Sequence, residues 1–138
     1  MIDRVSRLGR PRRLEGMDTI LWILQGILAV VFLGSGIAKS TMSRERMIAT
    51  GQTGIALFPM PVVRVAAGSE LLAAAGLLLP WATGIAPWLT PTAAAGLCIV
   101  MVGAAWSHSQ LHEPKAVAAN TVLFAAAMAV AIGRLAGL

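Results

Sequence analysis

Cysteine and charged side chains are both scarce in this 138-residue chain, and each scarcity argues against a class of protein. Cys98 is the only cysteine, so the chain has neither an internal disulfide nor a Cys-x-x-Cys redox pair. This argues against a self-contained thiol oxidase of the quinone-linked disulfide type, and Cys98 is best interpreted as a small buried apolar residue. Charged residues make up 12% of the chain, against roughly a quarter in soluble domains. An ordinary water-soluble fold is therefore not expected.

Hydrophobic residues, in contrast, account for 57% of the chain and are concentrated in four long runs. The runs cover approximately residues 19–38, 62–80, 85–106 and 117–136. A helix of about 20 residues, rising about 1.5 Å per residue, crosses a hydrocarbon core of about 30 Å. The runs lack the alternating polarity of membrane strands, and a helix satisfies its own backbone within a bilayer. The sequence predicts an all-α fold, an integral membrane antiparallel four-helix bundle in one domain of residues 19–138.

Residues 1–18 form a basic N-terminal tail that bears on both partners and orientation. Although the net charge is +5, the tail has no aromatic interleaving and no binding motif, so no nucleic acid partner is expected. A basic tail beside a first membrane span instead sets topology or contacts anionic lipid. Met17 is a second candidate for the start of translation. If the chain starts there, the opposite membrane face carries more Lys and Arg than when the tail is included, so the orientation in the membrane stays open. The basic residues of the tail are Arg4, Arg7, Arg10, Arg12 and Arg13.

Most ionisable side chains near the four runs fall at one end of the predicted bundle, because successive spans run in opposite directions. Lys39 closes the first run, and Arg64 and Glu70 lie early in the second. His108 follows the third run, and Asn120 leads into the fourth, where we expect it to be a hydrogen-bond partner. A charge in hydrocarbon costs on the order of 3 kcal/mol, so it usually has a partner or a function. These five residues are the candidates for binding a ligand or handling protons.

Glu70 is the leading candidate, because it lies about two turns into its helix. Arg64 is six residues earlier, hence on a different helical stripe, and its side chain is expected to point towards the near interface. Lys39 and His108, on neighbouring helices, are better placed as partners for Glu70. Two interpretations stay open: a buried ion pair that fixes helix register, and a carboxylate that binds a ligand or handles protons.

His108, His112 and Glu113 raise the question of a metal site. Two histidines four residues apart can share a metal on a continuous helix, but Pro114 indicates that the helix has already ended. We therefore predict no metal. No nucleophile–base arrangement for hydrolysis is recognisable either, so whether the chain is an enzyme stays open. The serines considered as nucleophiles are Ser35, Ser69 and Ser107.

Further details of the bundle follow from loops and interfacial residues. Residues 40–61 form the only long connection, and we predict a partly ordered cover over the polar end. Gln25 is expected to form a helix–helix hydrogen bond. Pro80 and Gly84 mark a tight turn after the second run. Tryptophans prefer the membrane interface, and the antiparallel arrangement places Trp22, Trp81 and Trp88 at one membrane face and Trp106 at the other.

Several segments carry a resemblance to a known family. They are FLGSGIAK (Phe32–Lys39), VRVAAGSELLAAAGLLLP (Val63–Pro80), PWLTPTAAAGL (Pro87–Leu97), MVGAAWSH (Met101–His108) and the helix start at Asn120. Over about Met17 to Arg134 the chain resembles the DoxX-like family of small four-helix membrane proteins. The resemblance implies a bundle in the plasma (inner) membrane, in a family linked to quinone-coupled sulfur oxidation, to terminal oxidase complexes, to thiol and oxidative-stress responses and to membrane-protein chaperoning. It also implies that Lys39, Arg64, Glu70 and His108 are the recurring polar residues.

Two hypotheses about function follow from the residues and from this resemblance. In the first, the protein is an auxiliary subunit that binds a quinone, or another small lipophile, non-covalently at the polar end; it predicts a pocket that reaches Glu70. In the second, the protein is a scaffold or assembly chaperone with a structural ion-pair cluster; it predicts no cavity at Glu70 and an exposed small-residue face. A transporter ranks third, because four short helices form a full pathway only as an oligomer. Expected partners are the lipid bilayer, a larger membrane or redox complex and further copies of the chain.

Overall fold

The computed structural model describes Gly9 and residues 11–138. All regular secondary structure in this part of the chain is helical. Within it there are five α-helices, one 3-10 helix and no strand. The four long helices are each long and apolar enough to cross a membrane, which confirms the predicted all-α membrane bundle. The elements are α1 (Arg12–Thr41), α2 (Arg44–Ala49), the 3-10 helix (Thr53–Leu57), α3 (Met60–Thr83), α4 (Leu89–Gln110) and α5 (Pro114–Leu135).

The helix bounds differ from the apolar runs that predicted them. α1 begins at Arg12 rather than at residue 19, so the described part of the predicted tail is largely helical. Polar residues continue the helix beyond the hydrocarbon, where hydropathy carries no signal. Gly84 takes the left-handed conformation (φ +70°) and ends α3. After a short turn, α4 begins at Leu89, later than expected. The tail residues Arg4, Arg7 and Arg10 lie outside the described residues.

Pro80 lies inside α3, not in the turn where the sequence placed it. A proline has no N–H to donate to the carbonyl four residues earlier, here that of Gly76. The Thr90 hydroxyl of α4 donates to the Gly76 carbonyl oxygen at 2.9 Å. The Gln25 amide of α1 donates to the next carbonyl, that of Leu77, at 2.5 Å. Neighbouring helices thus satisfy the backbone around Pro80 and let α3 continue to Thr83. The expected helix–helix hydrogen bond of Gln25 is confirmed.

The four long helices pack around one apolar core, with α1 against α3 and α4 against α5 in the largest interfaces. Glycines allow close approach at several crossings, as membrane helices require. A Cβ on Gly36 would lie 2.8 Å from the Leu71 side chain, and one on Gly133 would lie 2.6 Å from Leu21. Large side chains on the outer faces are exposed and contact the lipid. The fully buried core side chains include Leu28, Phe32, Leu77, Leu97 and Val130.

The connection between α1 and α3 is ordered and folds over one end of the bundle; we call residues 42–59 the cover segment. The Ser43 hydroxyl accepts from the Arg46 amide at 3.2 Å and caps α2. The Arg44 guanidinium donates to carbonyl oxygens of residues 55, 56 and 58 and so fixes the fold of the segment. Met47 and Ile55 are buried against Val63 of α3. The cover segment is therefore anchored both internally and to the bundle.

Candidate functional site

A cavity of about 300 Å³ lies beneath the cover segment, between the C-terminal half of α1 and the N-terminal half of α3. α4 and α5 complete the wall. Most of the lining is apolar, including Phe32, Phe58 and Met101. Four of the five candidate site residues also line it: Lys39, Glu70, His108 and Asn120. The fold thus brings together side chains that are separated by as many as 81 positions in the sequence, from Lys39 to Asn120.

Glu70 and Lys39 form an ion pair at the cavity wall. The Lys39 Nζ donates to Glu70 Oε1 at 2.6 Å, and the Glu70 side chain is fully buried while that of Lys39 is 16% exposed. Among the described residues, no donor lies within hydrogen-bond distance of the other carboxylate oxygen, Oε2. A buried carboxylate normally has both oxygens satisfied, because its burial is otherwise costly. Of the two partners that the sequence offered for Glu70, the structure selects Lys39.

His108 pairs with Glu113 rather than with Glu70. Its Nδ1 lies 2.6 Å from Glu113 Oε2. The Thr53 hydroxyl of the cover segment donates to the same oxygen at 2.9 Å, and Ser107 of α4 donates to the Gly54 carbonyl at 2.5 Å. A Cβ on Gly54 would lie 2.8 Å from His108 Nε2, so the segment approaches the imidazole closely. His108 and its neighbours therefore hold the cover segment on the end of α4.

The hydrogen bond from His108, then that from Thr53, lowers the pKa of Glu113 below its ordinary value. A carboxyl group with a depressed folded-state pKa stabilises the fold above its ordinary pKa of 4.5, and the contribution is lost as the pH falls through the lower folded value. Glu113→Gln removes the charge at neutral pH, so we expect the backbone amides of residues 51–58 to exchange hydrogen about fivefold faster than in wild type. Hydrogen exchange in nanodiscs measures this. Glu45→Gln, an exposed acid on α2, is the control; equal exchange in the two variants would contradict the assigned role.

Arg64 does not enter the cavity. Its side chain is exposed and donates to the carbonyl oxygens of Lys39 and Met42 at the end of α1, the latter at 3.0 Å. These carbonyls belong to the end of a helix, where backbone acceptors lack intrahelical partners. The predicted orientation of Arg64 towards the interface agrees with this position. Its contact with the backbone of Lys39 places it behind the ion pair, where it caps α1.

Asn120 lines the cavity from α5, and His112 is not among the lining residues. The Asn120 amide nitrogen donates to the Ala116 carbonyl of its own helix at 2.9 Å, so its expected bond to another member of the cluster is not formed. His112 is exposed and has a left-handed backbone (φ +57°), because the chain reverses there between α4 and α5. Within the residues that the structure describes, no three His, Cys, Asp or Glu side chains are grouped closely enough to hold a metal ion.

Comparison with known proteins identifies the family. The sequence profile of the DoxX-like family matches residues 23–130, which is most of the chain and includes every residue of the candidate site. The chain belongs to the DoxX-like family. Searches of curated proteins and of solved structures found no match. Family membership and the four membrane-capable helices together establish a multi-pass membrane protein in contact with the lipid bilayer.

This DoxX-like protein has a second polar cluster, at the opposite end of the bundle, which sequence reasoning missed. The Arg134 side chain is fully buried; its Nε donates to Gln25 Oε1 at 2.6 Å and its Nη1 to Asp18 Oδ1 at 2.5 Å. Its guanidinium carbon lies 5.3 Å and 4.5 Å from the ring centres of Trp22 and Trp81. The available signal was the coincidence of Gln25, two tryptophans and an arginine at one predicted membrane face. The sequence alone predicts no partner for Arg134.

Proposed function

We propose that this DoxX-like protein binds a small lipophilic ligand of the quinone type in the cavity beneath the cover segment. In this proposal it serves as an auxiliary subunit of a redox-linked process in the plasma membrane. One observation carries the proposal: an apolar cavity reaches a buried carboxylate that is paired with an ammonium and has an unsatisfied oxygen, and an imidazole lines the same cavity. Ligand sites typically combine apolar walls with a few polar groups that orient the ligand.

The size of the cavity supports a small ligand. At about 300 Å³ it lies at the lower end of the volumes typical of ligand pockets, roughly 300–1,000 Å³. A substituted aromatic ring matches this volume better than a whole phospholipid would. The cavity has both apolar walls and polar groups, which suits a ligand with a lipophilic body and a polar head.

The position of the cavity supports entry from the bilayer. Its lining includes Val31, Val62 and Ile99 of three long helices, residues that are 39%, 47% and 75% exposed, so the cavity reaches the apolar surface of the bundle. α1 and α5 also share a smaller interface than α1 and α3. Their side-chain contacts through Arg134 lie at the opposite end of the bundle. A lipophile dissolved in the membrane therefore has a short route to the polar groups.

Any redox role must rely on the ligand or on a partner protein. Cys98, the only cysteine, is buried in α4, with its sulfur 4.0 Å from the Phe124 carbonyl oxygen. A single buried thiol offers no dithiol chemistry. Electrons would therefore pass to or from the bound lipophile through a larger membrane complex, or between copies of the chain. Both associations are part of the proposal.

A non-catalytic scaffold or assembly chaperone is the second candidate. It is favoured by Gly34 and Gly96, which are exposed and have no atom within 4 Å of a Cβ added to them. Such glycines leave room for another helix to approach. This hypothesis, however, predicts no cavity at Glu70, and the cavity favours ligand binding.

Filling the cavity tests ligand binding without touching the ion pair. Gly103 lines the cavity and a Cβ there meets no atom within 4 Å, so Gly103→Leu places a side chain in the open space. We expect it to weaken saturable binding of decylbenzoquinone at least about tenfold, as measured by calorimetry in nanodiscs. Its thermal stability should equal or exceed that of wild type, because leucine favours a helix by about 0.8 kcal/mol relative to glycine.

The matched control is Gly96→Leu, on the same helix. Gly96 also has open space around a Cβ but does not line the cavity, so the helix propensity changes equally. Binding should be retained in this variant. Equal affinity of Gly103→Leu, Gly96→Leu and wild type would overturn the proposed function, and so would the absence of saturable binding of both decylbenzoquinone and its reduced form to wild type.

A further inference from the structure

We infer that the ligand presents a hydroxyl group to Glu70, so that the site prefers a hydroquinone-type head, which donates hydrogen bonds, over the corresponding quinone. This inference rests on the ligand-binding function proposed above and specifies its ligand class. It follows from the donors and acceptors on the cavity wall that make no hydrogen bond within the protein.

The polar groups of the cavity wall have both acceptors and donors to spare, and one of the acceptors, Glu70 Oε2, is fully buried. Glu70 Oε2 has no donor among the described residues. Asn120 donates one amide N–H to the Ala116 carbonyl, which leaves Oδ1 as an acceptor and the second N–H as a donor. His108 turns Nδ1 towards the Glu113 carboxylate, so this nitrogen carries the proton, and in the neutral ring Nε2 is an acceptor. Lys39 supplies the opposite capacity, since an ammonium has three N–H bonds and one is used on Glu70.

A hydroxyl group matches the Lys39–Glu70 pair better than a carbonyl does. It can accept from the Lys39 ammonium and donate to Glu70 Oε2 at the same time. A quinone carbonyl can only accept, so it would leave a buried carboxylate oxygen without a donor, which is the costly case. Rotation of the Glu70 carboxyl group about its soft terminal torsion would turn Oε2 towards the cavity.

The apolar part of the wall is suited to an aromatic ring. Phe32 and Phe58 both line the cavity, together with the thioether of Met101. Rings of this kind pack favourably against aromatic and sulfur-containing side chains. The two hydroxyls of a hydroquinone also extend to opposite sides of its ring. One can bind the Lys39–Glu70 pair, and Asn120 and His108, which line the same cavity, offer acceptors for the other.

A set of ligands with the same decyl tail tests the inference. Decylhydroquinone, decylbenzoquinone, the dimethyl ether of decylhydroquinone and decanol are titrated anaerobically into wild-type protein in nanodiscs, with empty nanodiscs as the blank. We expect decylhydroquinone to bind about tenfold more tightly than the quinone and the dimethyl ether. The reason is that only the hydroquinone has a hydroxyl that donates a hydrogen bond to the charged Glu70 carboxylate. Decanol, which has a hydroxyl but no ring, should bind more weakly than decylhydroquinone.

Variants locate the acceptor. Glu70→Gln offers an amide that both donates and accepts, so we expect the preference for hydroquinone over quinone to fall to about threefold or less. Asn120→Leu removes an acceptor but leaves the ion pair, and should weaken hydroquinone binding about fivefold. Should Glu70→Gln not fold, Asn120→Leu and the wild-type ligand set still decide the question. Ser69→Ala, whose hydroxyl bonds its own helix, is the control that should bind like wild type.

The outcomes separate the two proposals. Equal or tighter binding of the quinone, in a manner abolished by Gly103→Leu, would overturn the hydroxyl preference and leave the ligand-binding function intact. Decanol binding as tightly as decylhydroquinone would overturn the aromatic head. No saturable binding of any probe above the blank would overturn the proposed function together with this inference.

Discussion

Replacing Lys39 with methionine is expected to lower the free energy of unfolding by about 3–5 kcal/mol, the usual cost of removing one partner of a buried ion pair. The reason is that Glu70 is fully buried and that, within the described residues, Lys39 is its one ion-pair partner. Without Lys39 the buried carboxylate loses its counter-charge. Unfolding in mixed micelles with increasing SDS measures the loss.

Two further variants distinguish the ion pair from nonspecific effects. Lys115→Met removes an exposed lysine near the same end of the bundle and should change stability by less than about 0.5 kcal/mol. Lys39→Met combined with Glu70→Leu removes both charges, and should restore most of the stability, since apolar replacement of a buried pair is often neutral. A Lys39→Met variant as stable as Lys115→Met would contradict the importance of the pair.

The double variant also separates stability from function. If it recovers stability but no longer binds decylhydroquinone, the ion pair is not needed to hold α1 and α3 together. Its value would then lie in presenting an ammonium and a carboxylate to a ligand. If binding survives the loss of both charges, the cavity recognises only shape and apolar surface, and the role given to Glu70 is wrong.

The sequence predicted the architecture because the bilayer imposes it. A span needs about 20 apolar residues, and four such runs allow few arrangements. The ends of the helices were less accessible. α1 extends back to Arg12 through polar residues that hydropathy does not mark. α3 passes through Pro80 because Thr90 and Gln25, on two other helices, satisfy carbonyls near it. A local reading of Pro80 as a turn contains no information about such partners.

The candidate site was predicted in part for a similar reason. A charged residue near hydrocarbon requires a partner, so the sequence could limit the partners of Glu70 to Lys39 and His108. It could not choose between them, because the choice depends on the left-handed turn at His112 that brings Glu113 back to His108. The position of the cover segment depends on Thr53 and Gly54, which have no distinctive chemistry in the sequence.

Arg134→Leu is expected to produce the second large effect, a loss of about 3–5 kcal/mol of unfolding free energy. The substitution removes the donors to Gln25 Oε1 and Asp18 Oδ1 and the guanidinium between Trp22 and Trp81. Gln25 would then keep only its bond to the Leu77 carbonyl, so one polar atom in the core is left unsatisfied. Arg134→Lys retains a charge but not the planar guanidinium, and should lose about half as much.

Two measurements on these variants show what the second cluster does. SDS unfolding gives the stability, with Arg46→Leu, an exposed arginine on α2, as the control expected to change it by less than about 0.5 kcal/mol. Binding of decylhydroquinone to the folded Arg134→Lys variant gives the coupling between the two ends. Arg134 lies at the end of the bundle opposite the cavity, so binding should remain within about twofold of wild type.

An unchanged stability in Arg134→Leu would show that the buried arginine does not stabilise the bundle. A loss of binding in Arg134→Lys without a loss of stability would instead mean that the Trp22–Arg134–Trp81 contacts control how the helices are spaced at the cavity, because these contacts join α1, α3 and α5.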